Sequence, residues 1–279
     1  MAEATQLPKF RLIIIGDEIL SGRRQDKHFS RCIEILAERG LELHAAEIIT
    51  DARAHIAQTL ERSFATDDIV FCCGGIGGTP DDQTRQAAAQ ALGVPLALHP
   101  EAEALITELC QERAARGQGS ADMSLPENQQ RLQMGHFPQG AAIVPNPFNK
   151  IPGFFIKNHT FTPGFPVMAW PMIEWVLDHH YAQFHHQQHL VEHSFLVFGL
   201  PESRITPALE QLQQQWQGVK AFSLPSVGEN GGRPHIELGV KGSPEHSSAA
   251  IQFLRHEVQR LGGELLPGKP LAPSSPKST

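Results

Sequence analysis

The chain has 279 residues, 41% of them apolar, and a formal net charge of −7: enough apolar material for a sizeable core, and a charge that makes duplex DNA or an anionic membrane a poor partner. The opening MAEATQLPKF holds no apolar stretch of signal-peptide length, and no later run approaches the roughly 18 uninterrupted apolar residues of a membrane span, so a cytoplasmic location is expected. Four cysteines, Cys32, Cys72, Cys73 and Cys110, show no C-x-x-C spacing and read as small buried thiols rather than as a zinc site or a disulfide framework.

From Phe10 to Leu98 apolar strands alternate with helical segments. KFRLIIIG reads as a strand buried on both faces, because Leu12 to Ile15 are all apolar. DKHFSRCIEILAERG switches to the helical period, placing Phe29, Cys32, Ile33 and Leu36 on one face, with Gly40 as the stop. LELHAAEIIT is a second strand, Asp51 a candidate N-cap for the helix ARAHIAQTLERSF, and DDIVFCCGG a third strand. This order predicts right-handed crossovers and a mostly parallel sheet with helices on both faces, a three-layer α/β/α sandwich. Ligands in such sheets bind beyond the carboxyl ends of the strands, which brings Gly16 to Gly22, Thr50 to Asp51 and Gly74 to Asp82 to one crevice.

Further on, EAEALITELCQERAARG is a helix, and residues 117–166 are rich in Gly, Pro and Asn, with short strand candidates AAIV and FFIKNHTF in a set of structured loops. The helix VMAWPMIEWVLDHHY is expected to kink or restart at Pro171. A first domain over 1–183 is followed by a small βαββα domain over 184–268, both helices on one face of its sheet, and by a disordered tail, 269–279.

GGIGGTPDDQT, Gly74 to Thr84, concentrates the chemistry. Thr79 can cap a helix with Pro80 in its first turn and Asp82 three residues on, and in that plainest reading the acids complement the helix dipole. Yet Gly74, Gly75, Gly77 and Gly78 exceed what a turn requires, and free their amides to cradle an anion. A phosphate there would sit close to Asp82, which is unfavourable unless a cation lies between them; Mg²⁺ or another divalent metal resolves the conflict. Asp17 and Glu18 follow the first strand and Asp51 the second, so acids after three strands suggest a hydrated metal or base site.

Together, GDEILSGRRQD and GGIGGTPDDQT resemble the MoaB/Mog molybdopterin-binding family, in particular its CinA branch, which carries GDELLSGxxxDTNS and GGLGPTxDDxT. VPNPFNKIPGF and TPGFP look like that family's LPNPxGTAPGF and LPGVPSEM, and the βαββα region resembles the KH-like domain of CinA. The resemblance implies a homo-oligomer that binds a phosphorylated pterin or a nucleotide. It implies ligand contacts from Gly16, Ser21, Lys27, Gly74, Gly75, Gly77, Gly78, Thr79 and Thr84, catalytic or functional acids at Asp51 and Asp82, and metal ligands at Asp82, Asp17 and Glu18. The leading expectation is binding of a molybdopterin-type pterin; the second is metal-dependent hydrolysis of ADP-ribose or a related dinucleotide. Lys27, His28 and Phe29 replace the motif's Thr-Asn-Ser, Gly78 its proline, and Val167 and Met168 its Ser-Glu, so the ligand contacts differ from the pattern. The chain ends after the KH-like region, so the amidase activity of longer CinA proteins is not expected.

Arg23, Arg24 and His28 read either as phosphate contacts or as solvated loop groups. His185, His189 and His193, four apart, read as a polar connector rather than a metal site, and Trp170, Trp175 and Trp216 as core or interface anchors. The KH-like region shows no convincing G-x-x-G clamp, so nucleic acid is not an expected partner.

Overall fold

The computed structural model describes residues 7–187, 190–228 and 232–268. The chain divides into two compact units, 1–186 and 187–279. The division falls after the expected 183/184 position because the turn Ala182–Phe184 runs on to His186, whose amide bonds to the Arg39 carbonyl of the first unit. The expected tail lies outside the described residues, as does His189.

The first unit runs β1 (Phe10–Ile15), α1 (Asp17–Leu20), α2 (His28–Ala37), β2 (Leu43–Ile49), α3 (Arg53–Phe64), β3 (Ile69–Cys73), α4 (Thr84–Leu92), β4 (Leu96–Leu98), α5 (Pro100–Ala115), α6 (Pro126–Gln133), β5 (His136–Pro138), β6 (Ala142–Val144), β7 (Gly153–Ile156), β8 (His159–Thr162) and α7 (Pro166–His180). Its main sheet has the order β2-β1-β3-β8-β7-β6, with β2, β1, β3 and β8 parallel and β7 reversed. The unbroken apolar run of β1 has a direct cause. Leu12 and Ile14 pack with Cys32, Ile35 and Leu36 of α2 and Met172, Ile173 and Val176 of α7, while Ile13 and Ile15 pack with Ile56 and Leu60 of α3 and Ala87 and Ala88 of α4. This is the expected three-layer sandwich, and all four cysteines are free and buried.

Several expectations need correction. The buried face of α2 is His28, Cys32, Ile35 and Leu36; Phe29 and Ile33 are 47% and 42% exposed. Asp26 fixes the start of this helix by accepting from the amides of His28 and Phe29 at 2.9 and 3.0 Å, and that phase turns Phe29 and Ile33 outward. FFIKNHTF is a hairpin, not one strand: Lys157 and Asn158 take φ of 46° and 55°, the left-handed pair of a two-residue turn. Its second arm, β8, enters the sheet beside β3. Helix α7 continues through Pro171 without a restart. Helix α6, with Pro126 in its first turn, and β5, which pairs with β4, occupy part of the stretch expected to be loops.

The second unit runs β9 (Val191–Phe198), α8 (Glu202–Gln215), β10 (Lys220–Ser226), β11 (His235–Gly242), α9 (Pro244–Arg260) and β12 (Glu264–Pro267). The antiparallel order β10-β11-β9-β12 buries Phe195, Val197, Leu238 and Val240 under Ile205 and Leu212 of α8 and Leu254 and Val258 of α9. The closing strand β12 extends the expected βαββα to βαββαβ. His185 lies in the first unit and His193 on β9, so the two share no helix.

Candidate functional site

The parallel strands deliver four loops to one end of the main sheet, where backbone bonds stitch them together. Gly16 N–H donates to the Ile49 carbonyl at 3.1 Å, and Gly74 N–H donates to the Thr162 carbonyl at 3.0 Å. Gly164 packs on this junction, since a Cβ there would lie 3.5 Å from the Gly74 Cα.

In the Gly-rich loop three glycines are required for different reasons. Gly74 and Gly75 have φ of 115° and 67°, and a Cβ on them would collide with the Ile15 carbonyl and the Thr84 hydroxyl respectively. Gly77 makes room for the Asp82 carboxylate, whereas a Cβ at Gly78 would make only ordinary contacts with Met134 and Gln130. Thr84 is fully buried, donating its hydroxyl to the Gly74 carbonyl at 3.0 Å and its amide to the Gly75 carbonyl at 2.9 Å. It is a brace beneath the loop, not the ligand contact expected.

TPDD is a turn rather than a helix start. The Asp82 amide donates to the Thr79 carbonyl at 3.0 Å, and Asp82 Oδ2 accepts from the Thr79 amide and hydroxyl at 2.8 and 2.6 Å; α4 begins only at Thr84. Thr79 therefore caps no helix, because its hydroxyl donates to the carboxylate that closes its own turn. With the Gly74 and Thr79 amides committed, those of Gly75, Ile76, Gly77 and Gly78 have no protein acceptor among the described residues. Below the loop, Arg85 is 3% exposed and donates to the carbonyls of Gly77 and Gln133 at 2.7 and 2.8 Å. Burial lowers its pKa to about 10, against the opposing pull of Asp82. Asp82 thus closes the turn and balances a buried guanidinium.

Asp17, Glu18, Leu20, Ser21, Arg23, Thr50, Asp51 and Asp81 line an open cleft of about 650 Å³. Three expected residues besides Asp51 meet there, and Asp81 takes the place expected of Asp82. Asp51 caps no helix, since Ala52 precedes α3. Its carboxylate instead accepts from the Asp17 amide at 2.9 Å, and Asp17 Oδ1 accepts from the Asp51 amide at 3.4 Å. Burial raises the Asp51 pKa, the Asp17 amide opposes the rise, and the charges of Asp17, Glu18 and Asp81 add to it. Among the described residues no three Asp, Glu, His or Cys side chains converge on a point where they could hold a metal ion. Gly16 is buried at the rim, where a Cβ would meet the Glu18 carboxylate.

Lys27 lies apart from this cleft. With Glu18, Ile19, Arg24, Gln25, His28, Gly164, Phe165 and Pro166 it lines a second cleft of about 300 Å³, on the other side of α1. His28 is 5% exposed, and its Nε2–H donates to the Gly164 carbonyl at 3.1 Å. Burial opposes its charged form, but the Cys73 sulfur, the Gly164 carbonyl and Asp26 together raise its pKa to about 9. Sequence reasoning overlooked Asp81, Arg85 and Phe165 as site residues. Phe165 had a visible signal, an aromatic side chain between Gly and Pro directly after a strand.

No helix among the described residues is long and apolar enough to cross a membrane. Residues 11–182 match the family described as "Probable molybdopterin binding domain". A putative competence-damage inducible protein of Alkaliphilus metalliredigens is 25% identical over 263 residues, covering 92% of this chain and 60% of that protein. A CinA-like protein of Desulforapulum autotrophicum is 29% identical over 222 residues, covering 76% of this chain and 50% of that protein. The chain thus spans between half and two thirds of the length of these two relatives. Among solved structures, the protein CinA of unknown function from Thermoplasma acidophilum superposes with a TM-score of 0.51 at 24% identity, over 61% of this chain and 96% of that one, a likeness of fold. With the family match spanning β1 through α7 and both motif loops within it, the chain belongs to the molybdopterin-binding domain family, in its MoaB/Mog-type CinA branch.

Proposed function

We propose that the first unit binds a phosphorylated pterin of the molybdopterin type, the Gly75 to Gly78 amides donating to its phosphate and the neighbouring acid cleft holding a hydrated divalent cation. The observation that carries this is that loop amides without a protein acceptor among the described residues, and a cluster of carboxylates, both follow the carboxyl ends of strands in one parallel sheet. Carboxylate oxygens suit Mg²⁺, which commonly takes one or two carboxylates with ligand phosphate and water for the rest. Asp17 and Asp51 supply such oxygens, and Ser21 stands at the rim. Asp82 acts from beneath, holding the turn.

Family membership supports the pterin. Hydrolysis of ADP-ribose has less support, because it needs a firmly held metal and no three acids converge among the described residues. A second copy of the chain suits the exposed Phe29 and Ile33 on α2 and Ile48 on the edge strand β2, as in a homo-oligomer.

Native mass spectrometry of protein expressed in cells with an intact molybdopterin pathway tests the assignment. A retained phosphorylated pterin, lost in Asp51→Asn, is the expected result. Protein that neither retains nor titrates such a pterin in the presence of Mg²⁺ overturns it, and release of AMP from ADP-ribose would put hydrolysis in its place.

A further inference from the structure

The second cleft is built differently from the first. The acid cleft sets Asp17, Glu18, Asp51 and Asp81 around Arg23, while the second sets one carboxylate, Glu18, against the cations Arg24 and Lys27. At its mouth Phe165 is 54% exposed, although the same side chain would gain from burial. The backbone beneath the ring is fixed. Phe165 carries the first carbonyl of α7, accepting from the amides of Met168 and Ala169 at 2.9 Å, and its neighbour Gly164 is latched by the buried His28. An aromatic face on a fixed backbone beside a small cleft is a platform for another planar ring.

The polar groups around that platform narrow the ring's identity. A pterin presents along one edge an amino group and a ring N–H, both donors, followed by a carbonyl acceptor. A carboxylate accepts from the two donors, and an ammonium donates to the carbonyl. Glu18 and Lys27 line the same cleft and supply that pair. Adenine offers an amino donor beside ring-nitrogen acceptors and has no carbonyl, so it gives the carboxylate one donor where the pterin gives two, a mismatch of the kind that discriminates once the groups are desolvated. Lys27 and His28 stand where the resembling motif has Thr-Asn, and Phe165 where it has valine, so this surface departs from that motif.

We infer that the cleft between α1 and the β8–α7 turn receives a 2-amino-4-oxo heterocycle stacked on Phe165, its donor edge on Glu18 and its carbonyl on Lys27, and that these residues select pterin-like over adenine-like rings. The inference rests on the phosphorylated-pterin assignment made above.

The test is a fluorescence titration with pterin bearing a phosphomethyl group at C6, run beside a calorimetric titration with ADP-ribose, both with Mg²⁺. In the wild type the pterin emission is quenched on stacking. Phe165→Leu, a change at an exposed position, is expected to weaken the pterin phosphate about tenfold and to remove the quenching. Lys27→Met, outside the acid cleft, is expected to weaken it about tenfold while changing ADP-ribose affinity less than about twofold. If both variants bind the pterin phosphate as the wild type does while Asp51→Asn loses it, the ring sits elsewhere and the inference falls with the proposed function intact. If the wild type binds ADP-ribose but no pterin phosphate, both fall.

Discussion

Asp17 and Asp51 hold one another by exchange: each carboxylate accepts a hydrogen bond from the other's backbone amide, at 2.9 and 3.4 Å, so the loops after β1 and β2 are tied through two like charges. The amides make this closeness tolerable, and the raised pKa of Asp51 records what burial and the neighbouring acids still cost. A carboxyl whose folded pKa exceeds its ordinary value binds protons more readily folded than unfolded, so stability falls as pH rises through the range just above that ordinary value. Asn at position 51 keeps an acceptor for the Asp17 amide and removes the charge. Asp51→Asn is therefore expected to match or exceed the wild type in thermal midpoint at pH 7, while losing Mg²⁺-dependent ligand binding by at least about tenfold, as scanning calorimetry and titration would show.

The glycines of the anion loop divide sharply. Gly75→Ala must adopt φ near 67° and push aside the Thr84 hydroxyl, and is expected to cost about 3 kcal/mol by urea denaturation. Gly78→Ala meets only ordinary contacts and is expected to stay within about 0.5 kcal/mol of the wild type.

Arg85→Met strips the Gly77 and Gln133 carbonyls of their donors and leaves Asp82 without its cation. A loss of about 3 kcal/mol is expected, together with weaker anion binding, because the loop rests on that side chain. Equilibrium unfolding and the pterin titration measure the two effects.

A pH effect far from the site is also expected. His159 is fully buried, its Nδ1–H donates to the Lys157 carbonyl at 2.6 Å, and its Nε2 lies 2.7 Å from the Ser63 hydroxyl, which donates to it in the neutral ring. Burial pushes its pKa down to about 4. The unfolded chain binds this proton below about pH 6.5 and the folded one only near 4, so stability present above pH 6.5 drains away as pH falls, by up to about 3 kcal/mol. His159→Phe should flatten this part of the profile of urea midpoint against pH between 4 and 7.

Ile33→Glu places a charge on the exposed side of α2 without touching the core. Light scattering is expected to report a smaller assembly than for the wild type, with an unchanged circular dichroism spectrum; an unchanged mass would remove this face as the contact between copies.

The strands and the three-layer order were legible because burial on both faces leaves an unmistakable signature, the apolar runs Leu12 to Ile15 and Ile69 to Cys73. The convergence of Asp17, Glu18 and Asp51 followed from that order alone. Side-chain direction did not. Whether Asp81 or Asp82 faces the cleft depends on a single turn, and the Thr79 to Asp82 closure decides it. The phase of α2 was misjudged because Phe29 and Ile33 are apolar yet uncovered by this chain, and periodicity alone does not distinguish a core face from a face left open. The role of Arg85 was hidden for a similar reason: nothing near it in sequence announces that the carbonyls of Gly77 and Gln133 will flank it.

The sheet order has a temporal corollary. β8 lies at the centre of the sheet against β3, yet nearly ninety residues of chain separate the partners, as in the Thr162 hydroxyl contact with the Cys72 carbonyl. Until synthesis passes Pro166, β3 has one flank bare and Gly74 lacks the carbonyl that anchors it, so a growing polypeptide carries the glycine motif long before it has a place to put an anion.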